Sequence, residues 1–168
     1  MGVVKTKVYL KKINQKHTKD IVRILNEDTI LRESMNITGH ETIRRFEKRN
    51  SLWRKRTNSL SFTIFLEQEI IGLISLSHIN RKGTEARCGY WLASKFWGKG
   101  CATHAFEQIL NIAKKMGIVQ VCGSIALGNE ASIKIWKKFG ASFTKKGKEY
   151  EVKIKTKGGG NNELQRCI

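Results

Sequence analysis

Residues 85–116 read as a strand that passes through a compact glycine-bearing turn straight into an amphipathic helix, and few folds accommodate that succession. Ala102, Ala105, Phe106, Ile109, Leu110 and Ala113 fall on one stripe of the segment 101–116, and Gly117 stands where a C′ glycine ends a helix. Upstream, Gly98 and Gly100 permit a tight corner and close approach of the backbone to a ligand. The amides from Gly98 to Thr103 then fall at the free N-terminal end of the helix. Unpaired N–H groups and the helix dipole suit a phosphate or pyrophosphate there. A sharp corner without a ligand is the other reading of two glycines. The dinucleotide fingerprint Gly-x-Gly-x-x-Gly is not met, since Thr103 occupies its third glycine position, and the lysine-bearing phosphate loop of nucleotide hydrolases is absent.

The hydrophobic period changes along the rest of the chain. Residues 7–13, with Val8, Leu10 and Ile13 among lysines, predict an edge strand. From Thr18, the spacing of Ile21, Ile24, Leu25 and Asp28 predicts a first helix. Thr38-Gly39-His40-Glu41 has the form of a capping box and predicts a second helix to residue 55. Its outer side carries Arg44, Arg45, Lys48, Arg49, Arg54 and Lys55, followed by Arg56. Strands follow at 60–66, 70–79 and 85–92, and the short turns between them indicate antiparallel hairpins. A buried strand at 119–126 and a short helix at 130–139, stopped by Gly140, come after the long helix. A last hairpin pairs 141–145 with 150–155 around Gly147. The expected class is α/β: one domain over residues 1–156, with a mixed, mostly antiparallel central sheet of about seven strands and about four helices. Residues 157–168 read as a flexible tail.

Composition narrows the function. Lys and Arg number 32 against 14 Asp and Glu, a formal net charge of +18 in 168 residues. Such a surface attracts nucleic acid, an acidic partner or a polyphosphate cofactor. Drift toward lysine, giving a well-solvated face, is the plainer reading. Nonspecific nucleic-acid affinity stays open, although no aromatic array for base stacking accompanies the charge. Cys88, Cys101, Cys122 and Cys167 form no Cys-x-x-Cys pair and the four histidines do not cluster with them, so no metal is expected. Scattered cysteines fit a reducing cytoplasm. Mean hydropathy is -0.38. No apolar run approaches the roughly 18 residues of a membrane span, and no membrane partner is expected. The start Met1-Gly2-Val3-Val4-Lys5-Thr6 matches only the loose pattern for acylation of Gly2.

Gly89-Tyr90-Trp91-Leu92, followed by Phe96-Trp97-Gly98-Lys99-Gly100-Cys101-Ala102-Thr103, resembles the cofactor motif of the GNAT superfamily of N-acetyltransferases. It looks most like the branch that acetylates ribosomal-protein N-termini. Asn129-Glu130-Ala131-Ser132-Ile133 and the following Trp136-Lys137-Lys138-Phe139-Gly140-Ala141 are similar to the family's Asn-x-x-Ser segment and its ending. The resemblance implies acetyl-CoA as co-substrate and direct attack of a primary amine on its thioester. It implies that the backbone amides of Gly98, Lys99, Gly100, Cys101, Ala102 and Thr103 face the pyrophosphate and that Lys95 meets a phosphate. The backbones of Tyr90, Trp91 and Leu92 would pair with the pantetheine arm, and Asn129 and Ser132 would approach it. An N–H near Trp91 or Leu92 would polarise the carbonyl. Homodimers are frequent in the family. Plainer readings stand beside these: Asn129 as a cap, Ser132 as a first-turn residue, and Trp91, Phe96 and Trp97 as core. Cys101 and His104 share a helix face and permit a Cys–His acyl-enzyme, though Cys101 reads better as a small packed residue.

Two positions depart from the family pattern. Relatives often carry Glu two residues before the Gly-Tyr pair, where this chain has Arg87. Glu85, on the same strand face, is the first candidate base and His78 the second; a surface Arg87–Glu85 pair and an edge histidine are the bland alternatives. Many relatives also carry a tyrosine four residues after the serine to protonate the departing thiolate. Trp136 stands there, and indole cannot serve, so Ser132 or water becomes the candidate acid. The acceptor stays open among a protein or peptide N-terminal amine, amino sugars, polyamines and aminoglycosides. Glu27, Asp28, Glu33 and Glu41 weakly permit a cationic one. A CoA-binding module without turnover and a basic nucleic-acid binder are the alternatives from another class.

Overall fold

A mostly apolar run, interrupted by Ser61 and Thr63, makes an interior strand of the sheet, next to the edge strand. The strand β2 (Leu60–Leu66) is buried along its whole interior, as expected for a strand covered on both faces. The computed structural model describes residues 7–156; the Gly2 pattern and the 157–168 tail lie outside them. Among the described residues seven strands form one sheet in the order β1-β2-β3-β4-β5-β7-β6. Its members are β1 (Val8–Lys12), β2, β3 (Glu69–Ser77), β4 (Glu85–Leu92), β5 (Gln120–Ala126), β6 (Ser142–Lys146) and β7 (Glu149–Lys155). Every pairing is antiparallel except β4 with β5. The sheet class, the edge position of the lysine-bearing first strand and the closing hairpin agree with the sequence reading.

Helices cover both faces. On one side α4 (Cys101–Lys115) and α5 (Glu130–Lys138) contribute Ala105, Phe106, Ile109, Ile133 and Trp136 to the larger core. On the other, α1 (Gln15–Glu27), α2 (Thr29–Ser34) and α3 (Ile43–Thr57) bury Ile21, Val22, Leu25, Leu31 and Phe46 against Phe65 and Ile70. The two layers exclude water from the middle strands, where burial of each large side chain is worth about 1.5–3 kcal/mol.

Three local expectations are corrected. The α3 helix begins at Ile43, with Thr42 as its N-cap accepting from the Arg45 amide, not at the Thr38–Glu41 signature. The Asn26 side chain holds that segment extended, donating to the Glu41 carbonyl at 2.9 Å and accepting from the Glu41 amide at 2.8 Å. The short helix α2 was not expected; Asp28, read as the tail of the first helix, caps it through the Leu31 amide. Trp97, read as core, is 44% exposed, while Trp91 is half-buried and Phe96 buried.

Candidate active site

The one parallel pairing is short. Glu85, Ala86 and Arg87 pair with Gln120, Val121 and Cys122, and then β4 and β5 part. Residues 88–92 of β4 and 123–126 of β5 have no partner across the gap. The Ala93 amide bonds the Ile71 carbonyl at 2.8 Å. Bonding direction alternates along an antiparallel pair, so Trp91 and Gly89 spend their peptide groups on β3. Tyr90 and Leu92, beyond the last pair with β5, turn theirs into the split. The Leu92 carbonyl is then taken by Trp97 Nε1 at 2.8 Å, which leaves its N–H as an open donor. Of the three strand residues expected to offer backbone to a ligand, Tyr90 and Leu92 turn their peptide groups into the split, and Trp91 turns its own to β3.

The far end of the split meets the glycine turn. Gly98 and Gly100 have φ of 70° and 79°, in the left-handed region where other residues are strained. A Cβ at either position would meet nothing within 4 Å, so both face open space. The helix that follows has no side-chain cap. Its first backbone bond is from the His104 amide to the Gly100 carbonyl at 3.1 Å. Among the described residues no other residue accepts from the amides of Gly98, Lys99, Gly100, Cys101, Ala102 or Thr103. Six adjacent donors, of which only the Cys101 amide is engaged, and that by its own thiol, fit a pyrophosphate at a positive dipole end by charge and by hydrogen-bonding demand. Lys99 stands exposed beside them. Lys95 is exposed, its Nζ 2.5 Å from Glu69 Oε1.

Side chains close the split from both faces. Arg87 Nη2 donates to Ser124 Oγ at 2.7 Å on one face. On the other, Trp136, 2% exposed, lies over Gly123 so closely that a Cβ there would sit 2.6 Å from the indole ring. Phe106 wedges Trp136 in an edge-to-face contact at 4.8 Å between centroids. Tyr90 also packs on Phe106, and its Oη lies 2.6 Å from Ser132 Oγ, across the mouth of the split. Asn129 Oδ1 accepts from the Ser132 amide at 3.2 Å, so Asn129 is indeed a cap, and its exposed side chain stays beside the mouth. Burial raises the Tyr90 phenol above its ordinary pKa, an effect that the Ser132 bond partly offsets and nearby Cys88 reinforces.

The base candidates lie elsewhere. Glu85 is exposed at the start of β4, five residues from Tyr90 and so roughly 17 Å away along the strand. His78 is exposed just past the end of β3, its ring on Ser77 Oγ at 3.1 Å. Both sit at the closed end of the split and neither joins the Tyr90–Ser132 pair. Cys101 is buried and His104 exposed, with no bond between them; burial raises the Cys101 thiol, although Lys99 opposes it. That removes the Cys–His alternative. Among the described residues no group of three His, Cys, Asp or Glu could hold a metal ion. No helix among them is long and apolar enough to cross a membrane.

Residues 7–142 match the model of the acetyltransferase (GNAT) domain. The chain is 27% identical over 104 residues to the ribosomal-protein-serine acetyltransferase of Escherichia coli, covering 59% of this chain and 58% of that protein. It is 29% identical over 100 residues to the putative ribosomal N-acetyltransferase YdaF of Bacillus subtilis, covering 57% and 54%. The chain thus spans little more than half the length of these curated relatives. Its fold is similar to that of spermidine N-acetyltransferase from Vibrio cholerae in complex with CoA and spermine, with a TM-score of 0.75, 15% identity, and 90% and 96% of the two chains covered.

Proposed function

Because the chain belongs to the acetyltransferase (GNAT) domain family, we propose that it transfers the acetyl group of acetyl-CoA to a primary amine. The observation that carries this reading is the row of amides from Gly98 to Thr103, bonded to no other residue, at the open end of the β4–β5 split. In it those amides hold the pyrophosphate. The Tyr90 peptide and the Leu92 N–H pair with the extended pantetheine amides, as a strand would, and Asn129 approaches the same arm. Acetyl-CoA supplies the activated acyl group. Leu92, whose N–H has no protein acceptor and whose carbonyl is spent on Trp97, polarises the thioester oxygen as a fixed dipole.

The acceptor we propose is a peptide N-terminal amine. On the face of the sheet opposite α4 and α5, β4, β6 and β7 carry Arg87, Lys146, Lys153 and Lys155 beside Glu85, Glu149 and Glu151, with Glu151 held by Lys146. The net charge of +18 repels a polycation and tolerates a peptide with acidic residues behind its amine. The names of the curated relatives point the same way; a polyamine acceptor is the second reading, favoured by the fold of the spermidine enzyme. Competition between an acidic-tailed peptide and spermidine for acetyl-CoA decides between them. Higher kcat/KM for the peptide is expected; preference for spermidine would reverse the assignment.

A further inference from the structure

Tyr90 entered the site through its backbone, but its side chain carries more. A phenol, an aliphatic hydroxyl and an indole converge at the mouth of the split. The indole of Trp136 is packed against Gly123 and Phe106 and has no proton to give to sulfur at neutral pH. The Ser132 hydroxyl is a far weaker acid than a phenol. Tyr90 Oη is within 2.6 Å of Ser132 Oγ, although the two residues lie 42 positions apart. The ring is fixed by Phe106 at 6.2 Å between centroids, and the peptide of the same residue faces the split. We propose that Tyr90 is the proton donor to the departing thiolate, with Ser132 orienting its hydroxyl and returning its proton. This rests on the acetyl transfer proposed above.

The step balances. The amine nitrogen forms the C–N bond, the C–S bond breaks with its electron pair on sulfur, and the Tyr90 Oη–H proton goes to that sulfur. The phenolate regains a proton from water through Ser132 Oγ, and the surplus proton of the amine leaves to solvent. A phenol is protonated at neutral pH, the state an acid needs, and the bond with Ser132 counters the upward pull of burial on its pKa. A bond that merely ties β4 to α5 would have no influence on the sulfur.

Two readouts separate the cases in Tyr90→Phe. The first is kcat with acetyl-CoA, expected to fall about 10²-fold with little change in KM. The second is the titration of the thiol of bound CoA, followed by thiolate absorbance. Losing a donor to the thiolate is expected to raise that thiol's pKa by about one unit. A kcat within about twofold of wild type, or an unmoved thiol titration in protein that binds CoA normally, overturns the proposal. If Tyr90→Phe does not fold, Ser132→Ala decides: the phenol persists without its partner, and a smaller shift in the same direction supports the proposal while none overturns it. Should wild type bind CoA yet acetylate no amine, the proposed transfer fails, and the thiol titration still decides the role of Tyr90.

Discussion

His17 shows how much one buried side chain can control. It is 8% exposed, and its Nδ1 lies 2.8 Å from Thr63 Oγ1, joining α1 to β2. Burial, and then the charge of Lys11, lowers its pKa below 6.5. A histidine depressed in the folded state binds its proton more readily when unfolded. Its contribution is therefore complete above 6.5 and is lost as pH falls from there through the folded value. Stability measured by urea unfolding is expected to decline over that window, and His17→Gln to flatten the decline. A second residue-scale expectation concerns Glu85. It sits exposed at the closed end of the split, with Gln120 Nε2 3.5 Å from its carboxylate. Glu85→Gln is expected to leave kcat/KM and its pH profile unchanged, with the profile following ionisation of the acceptor amine. A lost alkaline or acidic limb in the variant would restore Glu85 as the base.

At the scale of elements, one contact couples the helical layer to the turn. Asp28 accepts from the Ser94 amide at 2.6 Å and the Ser94 hydroxyl at 2.8 Å while capping α2. Burial raises its pKa, but the bonds from Ser94, Leu31 and Ile30 outweigh it and the net shift is downward. Asp28→Ala removes a helix cap and the anchor of the turn at once, so a loss of about 1–2 kcal/mol is expected in urea unfolding, with weaker CoA binding. Unchanged CoA affinity would show that the anchor does not reach the cofactor turn. β2, β4 and the start of α4 matched their expected bounds because alternation, turn residues and glycines are local signals. The start of α3 did not match. Thr38 and Glu41 have the right spacing for a cap, but a clamp from Asn26 on another helix overrides it. The amides of the glycine turn could be read from spacing alone. The Tyr90–Ser132 bond could not, because only the fold brings strand β4 to the first turn of α5.

For the whole molecule, charge sets the terms of encounter. A +18 surface draws in a polyphosphate ligand, and the effect shrinks as the Debye length falls from about 10 Å at 0.1 M salt to about 3 Å at 1 M. KM for acetyl-CoA is expected to rise with ionic strength. For the acceptors the two readings diverge: screening should raise KM for an acidic-tailed peptide and lower it for a polyamine. Nucleic-acid affinity from the basic surface alone would fall steeply with salt and show no sequence preference.

In the proposed function the amides from Gly98 to Thr103, at the open end of the β4–β5 split, hold acetyl-CoA for transfer to an amine. Acetyl transfer by wild type and Gly100→Val, followed by mass across a panel of peptides, polyamines and amino sugars, tests it most directly. Gly100 has φ of 79°, which a β-branched residue adopts only under strain, and its amide is one of the six. Wild type is expected to give a product heavier by one acetyl group, and the variant to stay folded but need far more acetyl-CoA. A wild type that releases CoA with no acetylated amine, or a variant with undiminished affinity for acetyl-CoA, would contradict it.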